Sequence, residues 1–301
     1  MPDVKLQEVL ETPEIVLDLS SSEVVNLLLS MKSGWGSSFY EEIGEVPYIM
    51  VLGDLHGDFS SLRKPLRRFI EDEDVHLVAL GDYTDRSAVP GGSVVTAMVM
   101  LALKRTYPQR VVLLQGNHEN YYLFPFVPYD LPGEVEEVWG REKEAQGILY
   151  VLSSILADLP VIAVARCGVV FTHGGILKDN IPLKRGDSHR DVEGCVGHER
   201  YREAMYGLLW GGPKGYARHV VAPGANYSEE ELKSFLKRFN SVIHIRGHDP
   251  YLNGRFLFSQ RDVTITSFGE WGLYCLLEGD RMIEKETVRS RIRLYSTSER
   301  G

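Results

Sequence analysis

The apolar positions of this chain fall into short runs that keep ending the same way. Tyr48-Ile49-Met50-Val51-Leu52 stops at Gly53-Asp54, and Val75-His76-Leu77-Val78-Ala79-Leu80 stops at Gly81-Asp82. Val111-Val112-Leu113-Leu114 leads in the same way to Gly116-Asn117-His118. Short apolar runs closed by glycine and a polar group predict buried strands. Helical spacing follows the first run in Phe59, Leu62, Leu66, Phe69 and Ile70, with Pro65 predicting a bend. After the second run a buried helix is expected from about Ser93 to Thr106. Strand and helix in alternation predict parallel βαβ units.

Before this theme, Ser20 to Ser22 offer helix caps ahead of Val24-Val25 and Leu27 to Leu29, and Gly34-Trp35-Gly36 predicts the end of that helix. The second half is richer in strands. Residues 161–165 and 169–172 predict a strand pair turning at Cys167-Gly168. Ser228-Glu229-Glu230-Glu231 is a capping box, opening a helix with Leu232, Phe235, Leu236 and Phe239 on one face. Val242 to Ile245 then leads into Arg246-Gly247-His248, and further strand patterns fall near 255–258, 262–267, 273–278 and 282–288. The aromatic, proline-rich stretch 120–147 is expected as helix and loop.

The chain has 301 residues, 44% of them hydrophobic and 25% charged, as in an ordinary globular protein. With 33 basic and 42 acidic side chains the formal charge is −9, which argues against nucleic acid as a partner. A small phosphorylated ligand stays open, because bound metal ions would reverse the field locally. Cys167, Cys195 and Cys275 are far apart and odd in number, which suits a reducing compartment. The start shows no basic segment followed by an apolar run, and the most apolar stretch, Val94 to Leu103, is about half a membrane span. A cytoplasmic protein without membrane contact is expected.

The chemistry concentrates at the strand ends. Five clusters are Gly53-Asp54-Leu55-His56-Gly57, Gly81-Asp82-Tyr83-Thr84-Asp85-Arg86, Gly116-Asn117-His118-Glu119, His173-Gly174-Gly175 and Arg246-Gly247-His248. Ligands of open α/β sheets sit at the carboxyl ends of strands, so these clusters would share one edge. Aspartate, asparagine and histidine are the oxygen and imidazole ligands suited to manganese, iron or zinc. One Gly-Asp after a strand is usually only a turn, and one strand-end histidine is usually structural. The five together, in this order, point to a metal site.

The clusters resemble GDxHG, GDxxDR, GNHE, HGG and RxH, the ordered signature of the phosphoprotein phosphatases, the family of the serine/threonine protein phosphatases. The resemblance spans about Pro47 to Tyr274, and Asp158-Leu159-Pro160 and Leu208-Leu209-Trp210 are similar to further landmarks of that family. It implies an α/β fold of the metallophosphoesterase type, an αββα sandwich of two mixed β-sheets flanked by helices. The catalytic domain would span 46–290, after an N-terminal helical appendage at 1–45 and before a C-terminal tail at 291–301. Two divalent ions are implied, with manganese expected and iron, zinc or cobalt as alternatives. Asp54 and His56 would bind the first ion, Asp82 would bridge both, and Asn117, His173 and His248 would complete the second. His118, oriented by Asp85, would be the general acid. Arg86, Asn117 and a second arginine would hold the phosphate, Arg218 being preferred to Arg238, which is expected to face solvent. Arg246 would brace the site.

The implied reaction is hydrolysis of phosphoserine or phosphothreonine, with phosphotyrosine a further option, by direct attack of a metal-bridging hydroxide. The chemistry agrees, since paired ions activate water near neutral pH and a leaving alkoxide needs a proton donor. A phosphorylated protein or peptide is the expected partner. The alternatives are a small-molecule phosphohydrolase, such as a symmetrical dinucleoside tetraphosphatase, and a non-catalytic metal-binding scaffold.

Four positions depart from the family pattern: Ser87 after Arg86, Gln115 before Gly116, Gly211-Gly212-Pro213 after Trp210, and Ser267-Phe268-Gly269-Glu270-Trp271 in place of a loop ending in Asn-Tyr. Trp271 or Tyr274 is expected to overhang the site, with core packing the more natural place for Tyr274. His76, His189, His198 and Cys167 are expected to be structural, and Tyr121, Tyr122, Phe124 and Phe126 to pack in the core or rim.

Overall fold

Side-chain alternation along the strands decides the architecture, because each sheet is buried on both faces. The computed structural model describes residues 2–32, 36–178, 180–216 and 225–298. Its first half runs α1 (Pro2–Glu11), α2 (Ser21–Lys32), β1 (Tyr40–Ile43), β2 (Tyr48–Leu52), α3 (Arg63–Glu71), β3 (Val75–Ala79), α4 (Gly92–Thr106), β4 (Val111–Leu113), α5 (Leu131–Trp139) and α6 (Lys143–Leu156). The second half continues with β5 (Ile162–Ala165), β6 (Val169–Thr172), α7 (His189–Val196), α8 (His198–Trp210), α9 (Glu229–Arg238) and β7 (Ile243–Arg246). It closes with β8 (Phe256–Leu257), β9 (Asp262–Thr264), β10 (Leu273–Glu278), α10 (Val288–Arg291) and β11 (Ile292–Ser296).

Two mixed sheets result. One has five strands in the order β11-β10-β2-β3-β4, the other six in the order β1-β5-β6-β7-β9-β8. Strands β2, β3 and β4 are parallel, as are β6, β7 and β9, so each sheet delivers a set of strand ends to one edge. Ile49 and Val51 of β2, with Val78 of β3, face Ala163, Phe171, Ile243, Ile245 and Val263 of the other sheet. Met50, Leu52, Leu77 and Ala79 point the opposite way, into a core shared with α4 and α6. On the far side of the six-stranded sheet, Ile162 and Val170 pack on Met205, Leu209, Leu232 and Phe235. The expected αββα sandwich is thus present. The sheets meet where Asp54 bridges Thr266, at the carboxyl end of β2.

Several local expectations are refined. Pro65 lies in the first turn of α3, behind a 3-10 turn at Phe59–Leu62, where its missing N–H costs no helical bond. The first forty-odd residues, expected as a helical appendage, contribute Leu6, Val9, Val24, Leu28 and Met31 to the core under α4 and α6. Within that stretch β1 pairs in parallel with β5. The predicted helix stop at Gly34-Trp35 lies outside the described residues. The strand expected at 282–288 is instead a 3-10 turn at Lys285–Thr287 leading into α10. The true strand is β11, inside the expected tail. It pairs antiparallel with β10, and Tyr295 stacks on Tyr274 at 5.3 Å while Ile292 enters the inter-sheet core. Alternation there was too short to outweigh its charged neighbours.

Candidate metal centre

All five clusters reach one edge, and their backbone is strained to get there. His56, Asp82, Asp85, Arg86 and His248 all have positive φ, between 44° and 70°. Side-chain-bearing residues hold that conformation at a cost on the order of 1–3 kcal/mol each, so packing must enforce it. Two glycines show how tight the turns are: a Cβ on Gly116 would fall 2.2 Å from Asp82 Oδ1, and one on Gly247 2.3 Å from Asp54 Oδ1.

Asp82 is the centre of the cluster. Its Oδ2 faces His56 Nε2 at 3.6 Å and His118 Nε2 at 4.0 Å, while Oδ1 faces His173 Nε2 at 3.4 Å. The His118 amide donates to the same Oδ1 at 3.0 Å. On one side, His56, Asp82 and His118 converge; on the other, Asp82, His173 and His248 do. Asn117 Oδ1 lies 2.9 Å from both His173 Nε2 and His248 Nδ1. Asp54 Oδ1 accepts the His248 amide at 2.8 Å, joining the first strand end to the last. The six predicted ligands are therefore brought together, all buried except the half-buried His248.

The donor set fits divalent cations. Donor atoms about 3 Å apart are what neighbouring ligands on one ion at about 2.1 Å show. The imidazoles are also set in the right tautomer. His56 Nδ1 donates to the Thr84 carbonyl and His173 Nδ1 to the Leu80 carbonyl, each at 3.0 Å, which turns Nε2 of both rings toward Asp82. The carboxyls and imidazoles of the cluster shift one another's protonation. Burial pushes the Asp54 and Glu119 carboxyls up, with Asp82 adding to both. Burial would raise Asp82 too, but His173, His118 and His56 outweigh it and hold that group well below the usual range. Burial opposes a charge on His173, yet Asp82, Asp54 and Glu119 raise it to about 9, whereas burial takes His56 down to about 3.

Around the ligands stand the other predicted groups. His118 Nδ1 lies 2.7 Å from Asp85 Oδ2, and the second Asp85 oxygen accepts the amides of Asp130 and Leu131 at 2.8 and 2.7 Å. Burial alone would lower the His118 imidazole, but Asp82 and Asp85 raise it on balance. Arg86 is exposed, and its Nη1 stands 3.1 Å from His56 Nε2. Arg218 lies outside the described residues. Arg238, expected to face solvent, is half-buried and donates to the Ile181 carbonyl. Arg246 is fully buried and donates to the carbonyls of Gly174 and Gly247, the bracing place expected of it.

Sequence reasoning passed over three contributors. Glu119 is buried and accepts the amides of Asp82, Tyr83 and Gly116 at 2.7, 2.8 and 2.8 Å, clamping two turns with one carboxylate. Its place directly after Asn117-His118 was the available signal. Phe268, not Trp271 or Tyr274, lies edge-on to the ring of a predicted ligand, His56, at 4.8 Å; Trp271 is 84% exposed and Tyr274 is in the core. Asp58 ties that loop down by accepting the Gly269 amide at 2.9 Å. Phe126 lies 4.4 Å from His118 and Trp210 5.7 Å from His248, so the centre has an aromatic rim.

Residues 47–252 match the family model of the calcineurin-like phosphoesterases. The chain belongs to that family, one of hydrolases acting on phosphate esters. It is 24% identical over 229 residues to the serine/threonine-protein phosphatase C23G10.1 of Caenorhabditis elegans, covering 73% of this chain and 47% of that protein. The chain thus spans about half the length of this curated relative. Among solved structures, it is similar to a protein serine/threonine phosphatase of Saccharomyces cerevisiae with similarity to human phosphatase PP5. The TM-score is 0.64 at 18% identity, over 93% of this chain and 90% of that one. A cold-active protein-tyrosine phosphatase of a psychrophilic Shewanella matches with a TM-score of 0.59 at 21% identity, over 89% and 82% of the two chains. These likenesses carry the fold. No helix among the described residues is long and apolar enough to cross a membrane.

Proposed function

We propose that this chain is a phosphoprotein phosphatase that hydrolyses phosphoserine and phosphothreonine with two divalent ions, manganese being the expected pair. One observation carries the reading: the Asp82 carboxylate turns one oxygen toward His56 and the other toward His173, so that two cations bound there would share it. Asp54 and His56 would hold the first ion with Asp82; Asn117, His173 and His248 would hold the second. Two such ions, when bound, polarise phosphoryl oxygens and activate water for in-line attack.

The protein's own side chains supply the rest. Arg86 is exposed at the rim with its guanidinium beside His56, and would grip two phosphoryl oxygens. Asn117 lies on the same floor and Arg218 is proposed as the second guanidinium. His118 donates Nδ1–H to Asp85, which leaves Nε2 to carry a proton to the leaving oxygen. Asp85, fixed by two amides, holds that ring in place. A cytoplasmic setting belongs to the same proposal.

The aromatic rim of Phe126, Trp210 and Phe268 supports a second substrate, phosphotyrosine, whose ring it could contact. Metal-depleted protein supplemented with manganese is expected to release phosphate from phosphopeptides, with serine, threonine and tyrosine esters in one sequence context ranked by kcat/KM. Diadenosine tetraphosphate belongs in the same panel. Turnover of the dinucleotide with no release from any phosphopeptide would transfer the assignment to a small-molecule phosphohydrolase.

A further inference from the structure

A strand buried on both faces is expected to be apolar throughout. The inter-sheet faces of β6, β7 and β9 obey this with Val169, Phe171, Ile243, Ile245 and Val263. The opposite face, toward α8 and α9, does not. Thr172, His244, Arg246 and Asp262 lie there with Tyr227, every one fully buried. None of the five is a proposed ligand.

Hydrogen-bond accounting shows where this cluster leads. Asp262 Oδ2 accepts the Tyr227 hydroxyl at 2.5 Å and faces His244 Nδ1 at 3.0 Å. His244 Nε2 lies 2.7 Å from Thr172 Oγ1, whose only proton goes to the Gly175 carbonyl at 2.6 Å. With that proton committed, the imidazole must donate to the hydroxyl. One line of donors therefore runs from His244 through Thr172 to a carbonyl two residues beyond His173. A second arm starts from the other Asp262 oxygen, 3.5 Å from Arg246 Nε, a contact held by charge and too long for a hydrogen bond. Arg246 Nη1 then donates to Gly174 O at 3.3 Å and Gly247 O at 3.0 Å, flanking His173 and His248. The two turns are joined directly by the Gly247 amide donating to the His173 carbonyl at 2.8 Å.

Buried ion pairs add little net stability over apolar packing of the same volume, so a purely structural role is a poor reason for this one. We propose that Asp262 is a positioning residue for the ion site of Asp82, Asn117, His173 and His248, acting through His244 and Thr172 on one turn and through Arg246 on the other. The proposal rests on the metal-centre reading above. Its effect is to set the separation of the two imidazoles that meet at Asn117 Oδ1.

The test titrates manganese into the metal-depleted full chain by calorimetry, comparing wild type with Asp262→Asn. Wild type is expected to take up two ions. The variant is expected to bind one of them unchanged and the other ~10–100-fold more weakly, the usual scale for losing support behind a metal ligand. With saturating manganese, kcat on a phosphopeptide should fall further than KM changes. Two unchanged manganese affinities in a variant of lower Tm would reduce the cluster to a structural role and overturn the proposal. Should Asp262→Asn fail to fold, Thr172→Val and Thr172→Ser decide. Valine removes the hydroxyl and should weaken one ion, while serine should restore it; valine binding both ions like wild type overturns the proposal. Failure of the metal-centre reading is a separate outcome, visible in the wild type as no uptake of paired ions.

Discussion

In the five-stranded sheet, the turns after β3 and β4 are clamped by one carboxylate, Glu119, which accepts three backbone amides at 2.7 to 2.8 Å. In the six-stranded sheet, the turns after β6 and β7 are held instead by side chains donating to carbonyls, through Thr172 and Arg246. Apart from His76 near the start of β3, the first sheet keeps both faces of β2 and β3 apolar and does its bracing beyond the strand ends. The second gives up part of an apolar face to a buried polar cluster. The difference follows from what each must hold. On the turns that Glu119 clamps, Asp82 and Asn117 are short side chains, so fixing the backbone fixes the side-chain oxygen. His173 and His248 are longer, and small changes in their turns move the ring nitrogens further.

The largest effect should come from the group both sheets share. Asp82→Asn leaves one neutral amide between the two sides and is expected to abolish paired manganese binding and reduce turnover to background, measured by metal titration and phosphopeptide hydrolysis. Two ions bound as in wild type would break the shared-ligand reading. Next is His118→Asn, which leaves every proposed ligand in place. It should lower kcat by ~10²-fold or more on a phosphoserine peptide with manganese binding retained. On p-nitrophenyl phosphate, whose leaving group needs no proton, the loss should be much smaller.

The comparison of the two sheets is sharpened by Glu119→Gln. One carboxamide oxygen cannot accept all three amides, so manganese affinity should fall ~10–100-fold at the ligands of the five-stranded sheet. Unchanged affinity would show that glycine geometry alone holds those turns. The smallest expected effect is from Phe268→Ala, which removes an edge-on contact to His56 worth about 0.5–1.5 kcal/mol. It should shift kcat/KM among phosphoserine, phosphothreonine and phosphotyrosine peptides while both ions stay bound. A uniform loss on all three would make Phe268 a support for His56 rather than a part of the substrate rim.

Much of this molecule was legible in advance because the informative residues are local. Apolar runs ending in Gly-Asp or near Gly-Asn-His announce strand, tight turn and polar side chain within a few positions, and the capping box at Ser228 opens α9 as expected. What escaped was non-local. β11 has little pattern of its own and becomes a strand by covering the edge of β10. Phe268 and Trp271 are neighbouring aromatics in one loop, and only the tether from Asp58 to Gly269 decides which meets His56. Arg238 carries a helix-surface spacing, yet the Ile181 carbonyl draws it into partial burial.

The sequence by itself determined the order of the strand ends and the residue types they carry, since each cluster is written in consecutive positions and its chemistry belongs to the side chains. It also determined the alternation that sends Ile49 and Val51 one way and Met50 and Leu52 the other. The tertiary structure decided which donor atoms meet: that Asp82 has one oxygen for each side, that Asn117 joins His173 to His248, and that Asp262 stands behind both turns. Those contacts join residues far apart in the chain, and distances between them are set by how two twisted sheets pack, which no local pattern records.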